Sequence, residues 1–183
     1  MTNTQTRDIV ELLTNDHREA ALLLDQICAA GPESRQEQFW NLVPALVQHE
    51  VAEEVVVYPA IRRDAPNGDS EADARLAEQQ EAEVKLAAME KMDPTSTQFA
   101  GELESLRQAV LDHAHAEEAE VFPLLEKLES PQDRQELGAR YEKAKASAPT
   151  RPHPHAPDTP PGNVVVGPVA ALFDKARDAL RDI

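Results

Sequence analysis

Cysteine, glycine and aromatic residues are all scarce in this chain of 183 residues. The single cysteine, Cys28, excludes a disulfide or a cysteine metal cluster within the chain. Six glycines and an aromatic content of 4% argue against a β-sandwich or β-barrel, which use more aromatic and β-branched residues and regular turns. Alanine, leucine and valine supply most of the apolar content. This composition favours an all-α bundle with a slim core.

Positive charge and long apolar runs are lacking as well. The 18 Lys+Arg residues face 34 Asp+Glu residues, which gives a formal net charge of −16. Such a charge repels DNA, RNA and anionic lipid surfaces, so we predict no nucleic-acid partner and no membrane partner. No apolar run approaches the roughly 20 residues of a membrane span, and residues 1–10 lack the plan of a secretory signal. These features predict a cytoplasmic protein.

Proline is concentrated near the end of the chain. Seven of the fourteen prolines, at positions 149, 152, 154, 157, 160, 161 and 168, lie within residues 148–168. Proline fixes φ and disfavours helix in the residue before it, so this stretch is predicted to be extended. We therefore divide the chain into four parts: a helical bundle over 1–130, an additional helix over 131–147, a proline-rich arm over 148–167 and a C-terminal amphipathic helix over 168–183.

Apolar residues recur every three or four positions through four long segments of the bundle region. The segments cover about residues 7–30, 33–64, 69–92 and 95–128, and short turns containing proline or glycine separate them. Long helices joined by short loops lie antiparallel to their neighbours. The predicted fold is therefore an up-down-up-down four-helix bundle.

Histidine and glutamate interrupt the apolar stripes of three segments: His17 in the first, His49 and Glu53 in the second, His113 and Glu117 in the fourth. Residues four apart on a helix point the same way, so each His-x3-Glu pair places an imidazole and a carboxylate on one inward face. A buried carboxylate needs a hydrogen-bonded counter-charge or a metal. Converging nitrogen and oxygen ligands inside a bundle suit a two-metal carboxylate site.

The two pairs belong to an internal repeat. Residues 49–59 and 113–123 both read His-x3-Glu-Glu-x3-aromatic-Pro, at an offset of 64 residues. A weaker match between the first and third segments aligns Gln79 with His17. We interpret Tyr58, the aromatic residue of the first repeat, as a packing residue. The alternative is that a distortion of the helix at Pro59 brings Tyr58 close to the site.

These motifs resemble those of the hemerythrin-like, or HHE, cation-binding domains over about residues 7–128. The family pattern is a His on the first helix, His-x3-Glu on the second, a His on the third and His-x3-Glu on the fourth. The resemblance implies a four-helix bundle that holds a non-haem di-iron centre. It also implies that the metal ligands are His17, His49, Glu53, His113 and Glu117.

The third helix departs from the family pattern. Gln79 stands where the family has a histidine, and a neutral amide oxygen is a weaker ligand than an imidazole. Glu83, one turn later on the same stripe, is the alternative ligand. We therefore predict two inequivalent metals, one held mainly by His17 and His49 and one held weakly.

Three functions remain open at this stage. The resemblance implies a small-molecule partner: dioxygen, nitric oxide or peroxide. The protein is then either a binder or sensor of that ligand or an enzyme, for example one that decomposes peroxide. The third alternative is a metal-poor interaction bundle in which the His-Glu pairs form buried hydrogen-bonded networks. The C-terminal helix either docks on the bundle or binds a partner, which is another protein or a second copy of the chain in a homodimer.

Overall fold

The computed structural model describes residues 7–156, 162–163, 170–171 and 174. These residues form helices, turns and short connections, without a strand in those ranges, so the all-α prediction is confirmed. The helices are α1 (Ile9–Ala29), α2 (Pro32–Ala52), α3 (Tyr58–Asp64), α4 (Gly68–Met89), α5 (Thr97–Ala116), α6 (Phe122–Leu128) and α7 (Pro131–Ser147).

Polar side chains begin several of these helices. The Asp8 carboxylate accepts the Val10 N–H at 2.9 Å before α1, and the Ser96 hydroxyl accepts the Phe99 N–H before α5. Before α7, Ser130 forms a reciprocal capping box with the residue three positions later. Each cap satisfies a backbone N–H that has no partner inside its helix.

Two π-helical turns occupy matching positions in the internal repeat. Glu53–Val57 joins α2 to α3, and Glu117–Val121 joins α5 to α6. Each turn begins at the glutamate of a His-x3-Glu motif and ends just before the aromatic-Pro pair. The sequence predicts a symmetric irregularity at Pro59 and Pro123, and the structure has one in both repeats.

The π turns have a physical cause in the missing N–H of proline. A proline inside a helix leaves one carbonyl without its donor and crowds the preceding turn. The chain widens there, so that the Tyr58 N–H reaches the Glu53 carbonyl and the Phe122 N–H reaches the Glu117 carbonyl. The helix continues through each turn, so α2–α3 and α5–α6 are two continuous helical rods. With α1 and α4 they make the four rods of the bundle.

Two hydrophobic clusters fill the interior. Core A includes Ile9, Leu13, Ala52, Val56, Leu76, Val121, Leu137 and Tyr141. Core B includes Ala20, Leu24, Leu46, Phe39, Ala82, Leu86, Phe99 and Val110. Along the sequence, α1 and α4 run from core A to core B, whereas α2–α3 and α5–α6 run from core B to core A. Each rod carries a polar residue where it passes between the cores: His17, His49, Gln79 and Glu117.

Helix α7 packs against α1, α2 and the first π turn. Its Leu137 and Tyr141 side chains are buried in core A. Gly138 allows this close approach, because a Cβ atom there would lie 2.2 Å from the Arg7 carbonyl oxygen. Helix α7 thus lies on the bundle.

The described part of the proline-rich arm lies along α2 and α4. Arg151 places its guanidinium 4.2 Å from the centre of the Trp40 ring and its Nη1 3.0 Å from Glu90 Oε1. Most of the predicted C-terminal helix, 168–183, falls outside the described residues, so its docking and the four-part division of the chain stay predictions. Among the described helices, none is both long and apolar enough to cross a membrane.

Candidate metal centre

Two histidines and two glutamates converge between cores A and B. One ligand atom from each of His17, His49, Glu53 and Glu117 lies within 4.8 Å of the other three. Each of the four residues is more than nine-tenths buried, and the two glutamates are completely buried. Imidazole nitrogens and carboxylate oxygens at this spacing form the donor set of a transition-metal site.

The Nε2 atoms of three histidines face the two carboxylates. His17 Nε2 lies 3.2 Å and His113 Nε2 lies 3.5 Å from Glu117 Oε2. His49 Nε2 lies 3.3 Å from Glu53 Oε1. His113, on α5, therefore adds a third imidazole to the same cluster. The inward face predicted from the His-x3-Glu spacing is the one that the structure forms.

The Nδ1 atoms of these histidines are held from outside the cluster. His17 Nδ1 contacts Glu118 Oε1 at 3.1 Å, and His49 Nδ1 contacts Tyr141 Oη at 2.7 Å. His113 Nδ1 contacts Glu78 Oε2 at 2.8 Å. A metal-binding histidine commonly donates its other ring N–H to such a partner, which fixes the tautomer and the ring orientation. With a metal bound, these three contacts would hold the proton on Nδ1 and leave the Nε2 lone pair to point inward.

The two carboxyl groups of the cluster have opposite pKa shifts. Burial, together with the neighbouring Glu117, raises the pKa of Glu53 well above its usual range. Burial acts on Glu117 too, but the hydrogen bond from His17 and the nearby His113 lower the pKa of Glu117. One buried carboxyl is thus held neutral beside an ionised one. Burial also lowers the pKa of His49, so its imidazole is neutral, which is the form that binds a metal.

Gln79 and Tyr58 contact the carboxylates from the other side. Gln79 Nε2 donates to Glu53 Oε2 and to Tyr58 Oη, both at 2.7 Å. Tyr58 Oη donates to Glu117 Oε1 at 2.8 Å. Each glutamate therefore has one oxygen near the histidines and one near a neutral amide-phenol pair. This asymmetry distinguishes the two sides of the cluster.

A small cavity of about 20 Å³ adjoins the cluster on the side of core B. His17, His49, Gln79 and His113 contribute to its lining, and Ala20, Leu46 and Val110 supply apolar wall. A cavity of this size holds about one water-sized molecule. Glu50 also lines it, and burial, with the nearby Glu83 and Glu54, raises the pKa of Glu50 well above its usual range.

The family model of the hemerythrin HHE cation-binding domain matches residues 8–125. The chain belongs to the hemerythrin HHE cation-binding family. The match covers α1 to α5 and most of α6, and α7 lies beyond it. Every residue of the buried cluster falls inside the matched region, and Tyr141 falls outside it. The sequence-based identification of the family is therefore confirmed.

Two relatives extend the comparison. An uncharacterised hemerythrin-like protein of Schizosaccharomyces pombe is 30% identical over 174 residues, which are 94% of this chain and 86% of that protein. A DNA nickase of Nostoc sp. is 25% identical over 143 residues, which are 78% of this chain but 40% of that protein. No solved structure matches the chain.

Buried polar atoms of the hemerythrin-like cluster lack hydrogen-bond partners in the described part of the chain, and a bound cation would complete them. Among the residues that the structure describes, Glu53 Oε1, Gln79 Oε1 and His113 Nε2 are buried without a hydrogen-bond partner. Such atoms are costly unless a ligand completes them. All three are lone-pair donors at the same cluster, and the donor set is that of iron sites built from imidazole and carboxylate. The residues therefore fit the metal that the family implies.

The predicted ligands differ in their relation to the cluster. His17, His49, Glu53 and Glu117 come together, and His113 and Gln79 contact the same carboxylates. Glu83 is not part of the four-residue group. Its Oε1 accepts the backbone N–H of His153 at 2.7 Å, so Glu83 contacts the proline-rich arm.

Sequence reasoning missed several residues around the site. Asp16, Glu78 and Tyr141 had no assigned role at the site. Their role depends on contacts near histidine Nδ1 atoms, which the sequence does not reveal. Tyr58 takes the alternative position that the sequence left open, next to the carboxylates. His115 is exposed, as its position two residues from His113 predicts. The signal for Glu78 and Asp16 was present: each directly precedes a residue, Gln79 or His17, on an inward stripe.

Proposed function

We propose that this hemerythrin-like protein is a non-haem iron protein that binds or reacts with dioxygen, nitric oxide or peroxide. The observation that carries the proposal is that a buried histidine-carboxylate cluster adjoins a cavity sized for one small molecule. Iron bound there would supply an open coordination position and a change of oxidation state. The apolar wall of the cavity supports the proposal, because it limits access by water and larger reductants.

The ligand set supports two unequal metal positions. We assign the stronger position to His17 and His49 with oxygens of Glu53 and Glu117, since these four ligand atoms are already close. The weaker position would draw on His113, Gln79 and the same carboxylates. Its ligands include a neutral amide, and the Tyr58 hydroxyl competes for a carboxylate oxygen through its hydrogen bond. Glu83 remains the alternative third-helix ligand.

The protein contributes positioning and charge to this chemistry. The Nδ1 contacts hold each imidazole with Nε2 inward. With a cation bound and Glu53 ionised, Glu53 and Glu117, on the two π turns, would provide negative charge that balances a divalent or trivalent cation. Tyr58 and Gln79 donate hydrogen bonds to these carboxylates and so fix their orientation.

Nitric oxide and peroxide distinguish the first two functional alternatives. The iron-loaded protein would be titrated anaerobically with nitric oxide, and its optical and paramagnetic-resonance spectra followed. A stoichiometric new spectrum without turnover favours a binder or sensor. Sustained oxygen release from hydrogen peroxide, measured with an oxygen electrode, favours an enzyme. Spectra and peroxide decay identical to those of the metal-free protein would overturn the proposal and favour the structural bundle.

Three further expectations belong to the proposal. We infer an up-down-up-down order for the four rods, which the alternating passage between cores A and B supports.

We do not extend DNA cleavage to this chain from the Nostoc relative, because the match spans 40% of that protein and the net charge here is −16. A gel-shift titration with duplex DNA at low salt should show no complex. Sedimentation of the full chain tests the homodimer.

A further inference from the structure

We propose that Tyr141 is a positioning residue for the metal ligand His49. Tyr141 lies on α7, outside the region that the HHE family model matches. Its hydroxyl is in contact with the outward nitrogen of the imidazole, His49 Nδ1. The inference rests on the proposed function in one respect: it concerns the affinity of the cluster for a metal.

The hydrogen-bond order fixes which nitrogen of His49 carries the proton. Tyr141 Oη donates to Asp16 Oδ2 at 2.6 Å, and Lys145 Nζ donates to the same oxygen at 2.6 Å. A phenol has one hydrogen, which this contact uses. The Tyr141 oxygen, 2.7 Å from His49 Nδ1, must then accept that N–H. The proton is thus on Nδ1, and the Nε2 lone pair faces Glu53.

Asp16 does not replace the phenol in this arrangement. Its Oδ2 is 3.5 Å from His49 Nδ1, which is longer than the contact through Tyr141. Removal of the hydroxyl would therefore leave Nδ1 without a short acceptor, and the ring would lose both its fixed tautomer and its orientation.

Helix α7 holds Tyr141 firmly enough for this role. The Tyr141 side chain is 1% exposed and belongs to core A with Leu137 of the same helix. The absent side chain of Gly138 lets α7 reach the backbone of Arg7. The phenol is thus fixed by packing on both α1 and α2.

His49 differs in this respect from the other two histidines. His17 and His113 contact Glu118 and Glu78, whose carboxylates lie within the region that the family model matches. In the described chain, His49 has as its nearest Nδ1 partner a residue of α7. The integrity of the metal centre thus depends on a helix that the family pattern does not include.

Tyr141→Phe tests the inference with Co²⁺ as the probe. Co²⁺ affinity would be measured by competition with a chelator, and the visible spectrum of the bound ion would report its coordination. We expect affinity to fall about 10- to 100-fold, the usual effect of losing such an outer partner. We also expect the visible spectrum to change.

A metal-free measurement tests the tautomer directly. Nitrogen-15 NMR of the histidine rings should show His49 protonated on Nδ1 in the unaltered protein and a mixture of tautomers in Tyr141→Phe. Asp16→Asn is a second variant: an amide that donates to Tyr141 turns the phenol hydrogen toward His49 and favours the wrong tautomer. The NMR result does not depend on metal binding.

Leu137→Ala is the matched control, because it weakens the packing of α7 without removing the hydroxyl. It should lower the melting temperature and leave Co²⁺ affinity, measured well below that temperature, within about twofold. Equal losses in Leu137→Ala and Tyr141→Phe would overturn the positioning role, as would an unchanged affinity and tautomer in Tyr141→Phe. If the unaltered protein binds no metal, the proposed function fails together with the predicted affinity effect. The tautomer then decides separately whether Tyr141 orients His49.

Discussion

Tyr58 Oη donates a 2.8 Å hydrogen bond to Glu117 Oε1, and this contact joins the two halves of the internal repeat. The matching residue of the second repeat is Phe122, which has no hydroxyl. Its ring stacks on His17 instead, with centroids 5.4 Å apart and planes 17° apart. The same repeat position thus hydrogen-bonds a carboxylate on one side of the site and packs on an imidazole on the other.

Tyr58→Phe should destabilise the protein without metal. The substitution leaves the Gln79 amide and the Glu117 carboxylate each short of a buried hydrogen-bond partner, which costs about 1–3 kcal/mol. Urea unfolding of the metal-free protein measures the effect. Phe122→Leu, which changes the matching position without removing a hydrogen bond, is the comparison. A free energy of unfolding unchanged in Tyr58→Phe would show that the network contributes nothing.

Gln79→His should strengthen the weaker metal position. The substitution places an imidazole where the family pattern has one, next to Glu53 and the unsatisfied His113 Nε2. We expect the second equivalent of Co²⁺ or Fe²⁺ to bind at least tenfold more tightly in an anaerobic titration. Gln80→His, one residue along and directed toward the Pro154 carbonyl, should leave both equivalents unchanged. Two equal sites in the unaltered protein would contradict the predicted inequivalence.

Removal of the metal should lower thermal stability. A ligand that binds only the folded state stabilises it by about 2.7 kcal/mol at 100 times its Kd. For a chain of this size, that corresponds to a melting temperature higher by roughly 5–10 °C. Calorimetry with and without a chelator measures the shift. The Glu117→Gln variant should show no chelator-dependent shift, and a full-sized shift in that variant would place the metal elsewhere.

His113→Ala and His115→Ala form a matched pair on α5. His113 points to Glu117, whereas His115 is exposed two residues away. We expect His113→Ala to weaken mainly the second equivalent of bound metal and His115→Ala to have no effect on either. Metal titration under identical conditions compares them. Similar titration curves for the two variants would mean that α5 supplies no ligand at this position.

Much of the fold followed from the sequence because its signals are local. Apolar spacing and the turns at proline and glycine predicted the four rods and α7 to within a few residues. The repeated His-x3-Glu motifs predicted the inward faces, since a four-residue spacing on a helix fixes direction. The prolines at 59 and 123 indicated an irregularity, but its form as a π turn depends on how the backbone satisfies the carbonyls before each proline.

The contact between Tyr141 and His49 was beyond sequence reasoning. Tyr141 lies 92 residues from His49, and their contact exists only because α7 packs against α1 and α2. Glu83 shows the same dependence on distant segments: it shares a stripe with Gln79, and its Oε1 accepts a hydrogen bond from the arm. Position on a stripe gives the direction of a side chain, but the partner it meets is decided by the packing of distant segments.

Iron content per chain, measured by mass spectrometry on protein from iron-sufficient cells, tests the metal centre most directly. The unaltered protein and His115→Ala should each retain at least one iron per chain together with an absorption band from the bound iron. Glu117→Gln and His49→Ala should lose most of that iron while staying folded by circular dichroism. Iron content that is unchanged in Glu117→Gln and His49→Ala, or absent from the unaltered protein, would contradict an iron centre built on these buried residues.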